Sequence, residues 1–254
     1  GSPKNRMMFP PCEVFVPALD STMDEARRRV GSLVERHRGD ADALGVRTAR
    51  QYAGRGRRGA RWFDIAGGSL LCTVALRRGG VWDPRDPNAG TIALRSAAAV
   101  ADTVGSLTDQ EPQIKWPNDV LLRGRKLCGI LVEADPRWFF VGIGMNLDVP
   151  KAPLPGGPLD PVGLRELDPE MGSLTVWEEL RSNLARHLSG PEWHATVESR
   201  LAWRDREVGV VSEGAEQRGV LRGLAADGAL ILDRQGREEL VYGGTLRCFS
   251  DQAG

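Results

Sequence analysis

Residues 113–147 read QIKWPNDVLLRGRKLCGILVEADPRWFFVGIGMNL. Four runs rich in β-branched, aromatic and other apolar residues fall inside it: Gln113–Trp116, Val120–Leu122, Lys126–Glu133 and Phe139–Leu147. Turn-forming residues separate them, Asn118-Asp119 and Arg123-Gly124-Arg125, so the stretch predicts strands that succeed one another with tight connections. Working towards the N-terminus, Thr91–Leu107 is alanine-rich with no internal proline and reads as a packed helix. Ser69–Leu76 (SLLCTVAL) reads as a buried strand, Ala43–Tyr52 as another, and Cys12–Leu19 alternates as a third. Asp20-Ser21-Thr22 offers hydroxyl and carboxylate caps to a helix over Met23–His37, with Arg27, Arg28 and Arg29 on its solvated side. Towards the C-terminus, Pro150–Gly172 is rich in proline and glycine and predicts a surface loop. Leu174–Leu188 and Trp193–Trp203 predict two helices with Gly190-Pro191 between them. From Asp205 the texture changes: Val208–Val211, Gln217–Leu224, Ala229–Leu232, Glu239–Val241 and Thr245–Phe249 are short strands split by turns such as Asp227-Gly228 and Gln235-Gly236. That spacing fits a small β-barrel of SH3-like size. The expectation is an α+β chain with a helix-packed core over 1–204 and a small barrel over 205–254.

The 254 residues are 41% hydrophobic, enough to bury a sizeable core. Lysine plus arginine (34) equals aspartate plus glutamate (34), so there is no long-range attraction to nucleic acid or to an anionic membrane, and neither partner is expected. No apolar run approaches the roughly 20 residues that span a bilayer, and the start Gly1-Ser2-Pro3-Lys4 lacks the apolar region of a signal peptide. Cys12, Cys72, Cys128 and Cys248 are scattered without a C-x-x-C pair, which argues against a disulfide framework or zinc site and for a reducing cytoplasm.

Chemistry concentrates in Arg50–Trp62, RQYAGRGRRGARW. Five arginines (Arg50, Arg55, Arg57, Arg58, Arg61) and no acid alternate with Gly54, Gly56 and Gly59. Pliable backbone amides beside guanidinium forks suit a polyanion such as a triphosphate. The string also matches G-x-G-x-x-G, but the next element along the chain is a strand and not a helix, so the dinucleotide-binding reading fails on context. A P-loop fails because Ala60 stands where lysine is required. Lys115-Trp116-Pro117-Asn118-Asp119, with Lys126 opening the next strand, forms a second polar group. It reads equally as an ordinary β-turn or as a site in which a lysine neutralises developing charge and Asp119 holds Mg²⁺. Val141-Gly142-Ile143-Gly144-Met145-Asn146 places two glycines in a strand, which marks either close approach of a ligand or a tightly packed sheet centre. His187 and His194 have no partnering acid cluster in view and read as surface or packing residues; no Ser-His-Asp grouping is visible.

GRGRRGARW, KWPNDV, KLCGILVEA and VGIGMN, in this order, resemble the signature blocks of biotin protein ligases, and Asp20-Ser21-Thr22 is similar to the motif before that family's first helix. The similarity runs over about residues 14–250. It implies a mixed-sheet, class II synthetase-like core with an SH3-like barrel after it. It further implies activation of biotin with ATP and Mg²⁺ to biotinyl-5′-AMP, then transfer to a lysine of a biotin carboxyl carrier domain by a monomer or homodimer. Carried onto this chain, Ser21, Thr22 and Gln51 would bind the ureido end, while Gly54, Arg55 and Arg57 would form the loop over biotin and the phosphate. Lys126 would meet the carboxylate and α-phosphate as the main catalytic group, beside Arg55 and Arg57. Gly129 would line the biotin pocket, Trp62 would pack over the ligand, Lys115, Asn118 and Asp119 would serve nucleotide, pyrophosphate and metal, and Asn146 the adenine. The chain departs from the pattern at Met23, Ala60, Cys128 and Met145; Ala60 stands where the family often has arginine, which Arg61 would have to replace. About 20 residues precede Ser21, too few for a helix-turn-helix, so no repressor function is expected. Two other functions compete: a lipoate or octanoate ligase on the same core, which the arginine-rich loop and KWPND disfavour, and a catalytically silent binding protein, which an intact Lys126 disfavours.

Overall fold

The computed structural model describes residues 9–36, 42–62, 65–80, 82, 89–149 and 159–249. Its centre is a seven-stranded sheet built from β1 (Cys12–Val16), β2 (Ala43–Thr48), β3 (Ser69–Arg77), β4 (Gln113–Lys115), β5 (Asp119–Leu122), β6 (Arg125–Ala134) and β7 (Trp138–Asn146), in the order β1-β2-β3-β7-β6-β5-β4. β1 and β2 are parallel, joined through helix α1 (Thr22–Arg36), and every other neighbouring pair is antiparallel. The tight β5–β6 connection has a local cause. Arg123 and Gly124 both have positive φ, 54° and 74°, the backbone of a two-residue hairpin turn whose twist matches the strands it joins.

Side chains of β3 and β7 alternate between two differently covered faces. Leu70, Cys72, Val74 and Leu76, with Phe139, Val141, Ile143 and Met145, join the larger core against α2 (Ala89–Thr108), α3 (Ser173–Ser189) and α4 (Trp193–Ser199). Ala97, Ala98, Ala99 and Ala101 of α2 are all fully buried, small enough for the helix to lie close to its neighbours. The buried hydroxyls of Ser96 and Thr103 are satisfied four residues back, at Ile92 O and Ala99 O. Part of the opposite face is covered by α1, where Met23, Ala26 and Val30 pack on Leu44, Val46, Ala75 and Phe140. Beyond the N-terminus of α1 that face stays open, and there the polar residues gather.

The SH3-like C-terminal unit is an antiparallel sheet of β8 (Glu207–Ser212), β9 (Ala215–Leu224), β10 (Leu230–Arg234), β11 (Arg237–Val241) and β12 (Thr245–Cys248), in the order β11-β10-β9-β8-β12. Its pairing leaves β11 and β12 as edges and does not close a full barrel. Val208, Leu221, Leu230 and Leu232 continue the larger core without a break. Trp116 Nε1 donates to Gly228 O at 3.0 Å, and the Leu224 amide to Glu198 Oε2 at 2.8 Å.

Two expectations are corrected. The helix predicted over Trp193–Trp203 ends at Ser199, because the backbone beyond it is claimed by β4: the Ile114 amide bonds Arg200 O at 2.7 Å and the Ala202 amide bonds Ile114 O at 2.9 Å. Of the predicted loop 150–172, residues 150–158 lie outside the described residues, and the rest is more than surface. Val162 and Leu164 are buried, and the segment pairs with Lys126, whose amide donates to Asp160 O at 2.8 Å and whose carbonyl accepts from the Val162 amide at 2.9 Å.

Trp177 of α3 is fully buried, its ring edge against Gly45 of β2. Trp177→Ala is expected to destabilise the chain by about 3–5 kcal/mol through lost burial and the cavity left behind, read as a lower urea midpoint at unchanged m-value. A shift below about 1 kcal/mol would mean the site collapses freely.

Candidate functional site

The open face holds a cavity of about 250 Å3. Its floor is backbone. Gly129 and Gly144 sit opposite each other on β6 and β7, and Gly142 sits opposite Leu131 on one side and Thr73 on the other. The Trp62 indole packs against this floor. A Cβ added at Gly144 would stand 2.6 Å from the indole ring, and one at Gly129 would stand 3.0 Å from it. Glycines at 129 and 144 therefore make room for a flat group. The indole Nε1 is buried with no hydrogen-bond partner among the described residues.

One wall carries a chain of hydroxyls and an amide. Thr73 Oγ1 donates to Thr22 Oγ1 at 2.8 Å, Thr22 Oγ1 donates to Gln51 Oε1 at 3.1 Å, and the Thr22 amide donates to the same oxygen at 2.7 Å. Ser21 Oγ accepts the Met23 amide at the start of α1. The opposite wall is ionic. Lys115 Nζ lies 3.3 Å from Asp119 Oδ2, and Lys126 Nζ lies 2.9 Å from Asp119 Oδ1. Burial pushes the Lys115 ammonium below its ordinary pKa, against the pull of Asp119. Arg57 arrives from the glycine-rich loop, donating to Asn118 Oδ1 at 2.9 Å and to Gly244 O at 3.4 Å. Burial, then repulsion from Arg58, lowers its pKa too, while Asp119 opposes the shift. Three cations thus converge around a single buried carboxylate.

Eleven of the thirteen residues singled out in the sequence line this cavity: Ser21, Thr22, Gln51, Arg55, Arg57, Trp62, Lys115, Asn118, Asp119, Lys126 and Gly129. Gly54 and Asn146 do not. Gly54 is packed behind the wall, where a Cβ would meet Gln51 Nε2 at 3.0 Å and Trp62 Cβ at 3.1 Å. Asn146 spends its amide nitrogen on the carbonyl of Lys126 at 3.3 Å, supporting the lysine backbone instead of facing the cavity. Asp119 does not fit a resident magnesium ligand, because both its oxygens face ammonium groups that a divalent ion would have to displace. Among the described residues no cluster of three or more His, Cys, Asp or Glu could hold a metal ion. Arg61 also lines the cavity and donates to Tyr52 O at 3.1 Å, beside Ala60.

Sequence reasoning missed Asp24, which takes the Arg55 fork at 2.7 and 2.8 Å, and Thr245 and Leu246 of β12, which close one side of the cavity. Thr73 carried a visible signal, a hydroxyl in the middle of an apolar strand; Thr245, 187 residues from its partner Arg58, carried none. His187 is a buried packing residue, but the expectation that it has no acid partner is corrected: its Nε2 lies 2.7 Å from Asp102 Oδ2, a carboxylate that also meets Arg186 and Arg200 at 2.5 and 2.6 Å. Burial raises the Asp102 pKa, but His187 and Arg200 outweigh it and hold the carboxyl below its usual range. That cluster ties α2 to α3 away from the cavity. His194 Nε2 meets the carbonyls of Leu224 and Ala225, and His37 lies outside the described residues. Cys128 is fully buried and its thiol is pushed well above its ordinary pKa, as is Cys72, to about 12, so neither presents a thiolate.

Residues 29–149 match the Biotin/lipoate A/B protein ligase family. The chain is 32% identical over 228 residues to a biotin–[acetyl-CoA-carboxylase] ligase of Mycobacterium tuberculosis, covering 82% of this chain and 79% of that protein. It is 30% identical over 247 residues to the bifunctional ligase/repressor BirA of Escherichia coli, covering 91% and 72%. Among solved structures, a biotin protein ligase from Aquifex aeolicus in complex with biotin and ATP shares the fold with a TM-score of 0.80 at 21% identity, covering 94% of this chain and 99% of that one.

The glycine floor makes a direct prediction. Gly144→Ala should lift the Trp62 indole away from β7, shifting its N–H resonance in a proton–nitrogen NMR spectrum (assigned with Trp62→Phe), while leaving the fold intact by circular dichroism. An unmoved resonance would show that the ring does not rest on Gly144.

Proposed function

The chain belongs to the biotin/lipoate A/B protein ligase family, and on that premise we propose that it activates biotin with ATP and transfers it to a lysine of a biotin carboxyl carrier domain. In the first step a biotin carboxylate oxygen attacks the α-phosphorus of ATP; the P–O bond to the β-phosphate breaks, and biotinyl-5′-AMP and pyrophosphate result. In the second step a lysine amine of the carrier attacks the activated carbonyl carbon and AMP leaves, giving the amide. The single observation supporting this reading is that Lys126, Lys115 and Arg57 share one cavity with the Thr22–Gln51 hydrogen-bonding wall. A carboxylate and a triphosphate repel each other, so bringing them together requires fixed positive charge, and alignment then supplies much of the rate. No base is needed for the first step, since the carboxylate is already the nucleophile.

In this reading the flat ureido ring lies at the Thr22, Gln51 and Thr73 wall, the valeryl chain runs along the Trp62 indole, and the carboxylate ends beside Lys126. Lys115 and Asn118 serve the phosphates, and Asp119 holds the two lysines side by side. Magnesium is given no ligand on this chain and no step in the reaction. The carrier is a domain of a biotin-dependent carboxylase, and the compartment is the cytoplasm. No helix among the described residues is long and apolar enough to cross a membrane.

Biotin-dependent exchange of labelled pyrophosphate into ATP tests the proposal, with lipoate as the competing acid; exchange driven by lipoate and not by biotin would reassign the substrate. Lys126→Ala is expected to cut adenylate formation by about 100-fold or more with the fold retained by circular dichroism. Arg57→Ala is expected to speed adenylate escape by about tenfold, the equivalent of one charge-assisted hydrogen bond. Carrier labelling at the unsubstituted rate by either variant would remove that residue from the mechanism.

A further inference from the structure

The loop over 54–62 is tied down at two places whose chemistry differs. Arg57 and Arg58 reach neutral partners: Asn118 Oδ1, Gly244 O and Thr245 Oγ1. Arg55 reaches acids. Its two terminal nitrogens lie 2.7 and 2.8 Å from the two carboxylate oxygens of Asp24, in the first turn of α1, and one of them lies 3.8 Å from Glu133 Oε1 on β6. Arg27 completes the group, 2.5 Å from Glu133 Oε2 and 3.6 Å from Asp24 Oδ1. Two guanidinium groups and two carboxylates thus alternate across α1, the loop and the sheet.

A guanidinium whose fork is filled by a carboxylate cannot offer the same fork to a phosphate, and a phosphate brought there would face Asp24 and Glu133 as well. The loop also needs holding. It contains Gly54, Gly56 and Gly59, and at its tip Arg58 has φ 54° and Gly59 φ 76°. Inside it the Gly56 amide bonds Ala60 O at 2.7 Å and the Trp62 amide bonds Gly54 O at 2.9 Å, which makes a small hairpin but does not fix it over the cavity. Arg55–Asp24 does so on the α1 side.

Resting on the ligase reading, we infer that Arg55 is a latch and not a phosphate ligand, and that Asp24 is a positioning residue that holds the arginine loop over the cavity. Arg57 is then the loop's cation for the adenylate phosphate. The latch sets how long the adenylate stays, more than how fast it forms.

The test has one arm that needs no activity. In ligand-free protein, Asp24→Asn and Arg55→Gln should each speed trypsin cleavage after Arg57, Arg58 or Arg61 by about threefold to fivefold, as expected for an exposed bidentate pair. The double variant should be no faster than either alone. In the second arm, adenylate escape should rise by the same factor in both single variants, with adenylate formation at saturating biotin and ATP changing less. Asp24→Glu, which keeps a carboxylate for the Arg55 fork, should keep escape slow where Asp24→Asn does not, a distinction that a merely structural role for Asp24 would not produce. Unchanged trypsin cleavage in Asp24→Asn overturns the latch. So does an Arg55→Gln variant that loses adenylate formation while Asp24→Asn keeps it, since Arg55 would then be a phosphate ligand. If the unsubstituted chain makes no adenylate, the ligase reading fails, and the trypsin arm still decides whether the latch exists.

Discussion

Asp119 is the charge on which the cavity depends. It is buried, at the start of β5, and its two oxygens face Lys115 and Lys126 at 3.3 and 2.9 Å. Without it, two ammonium groups and the nearby Arg57 would repel one another across a partly desolvated space, and burial already makes Lys115 costly to keep charged. A single carboxylate cannot neutralise three cations. The excess is what makes the cavity a place for anions, and the carboxylate keeps the excess from pushing its members apart. A buried ion cluster of this kind is weak evidence for stability, because desolvation offsets much of its attraction. Its value lies in position.

The rest of the structure supports that cluster. Lys126 is held by backbone from two directions, through Asp160 and Val162 on one side and the Asn146 amide on the other. Asn118 bonds the Ile130 carbonyl through its side chain and the Ile130 amide through its own carbonyl, so the Arg57 partner is fixed to β6. The cavity exists because α1 covers only part of its face of the sheet, and because β6 and β7 present glycines where side chains would fill the space. Trp62 takes up that room, so its indole offers an apolar surface between a hydrogen-bonding wall and an ionic one.

The C-terminal sheet is part of this arrangement. Thr245 and Leu246 border the cavity, and Gly244 O and Thr245 Oγ1 accept from Arg57 and Arg58. Its buried strands share the main core, so its position relative to the ionic wall is fixed by packing as well as by those hydrogen bonds.

Much was legible in the sequence because its causes are local. The strand series 113–147 comes from apolar alternation and from turns such as Arg123-Gly124, whose positive φ values need no tertiary partner. The cationic character of 50–62 comes from arginines interleaved with glycines, and the ordered motif blocks carried the family. The features that could not be read depend on pairs far apart in the chain. The sheet places β3 beside β7, so that Thr73 faces Gly142, and pairs Arg55 with Asp24 across 31 residues and Arg58 with Thr245 across 187. Residue type alone said that these arginines would seek anions. Only the folded packing decided that one of them meets a carboxylate of its own chain while another is left facing the cavity, because a charge takes the partner that the surrounding backbone brings within reach.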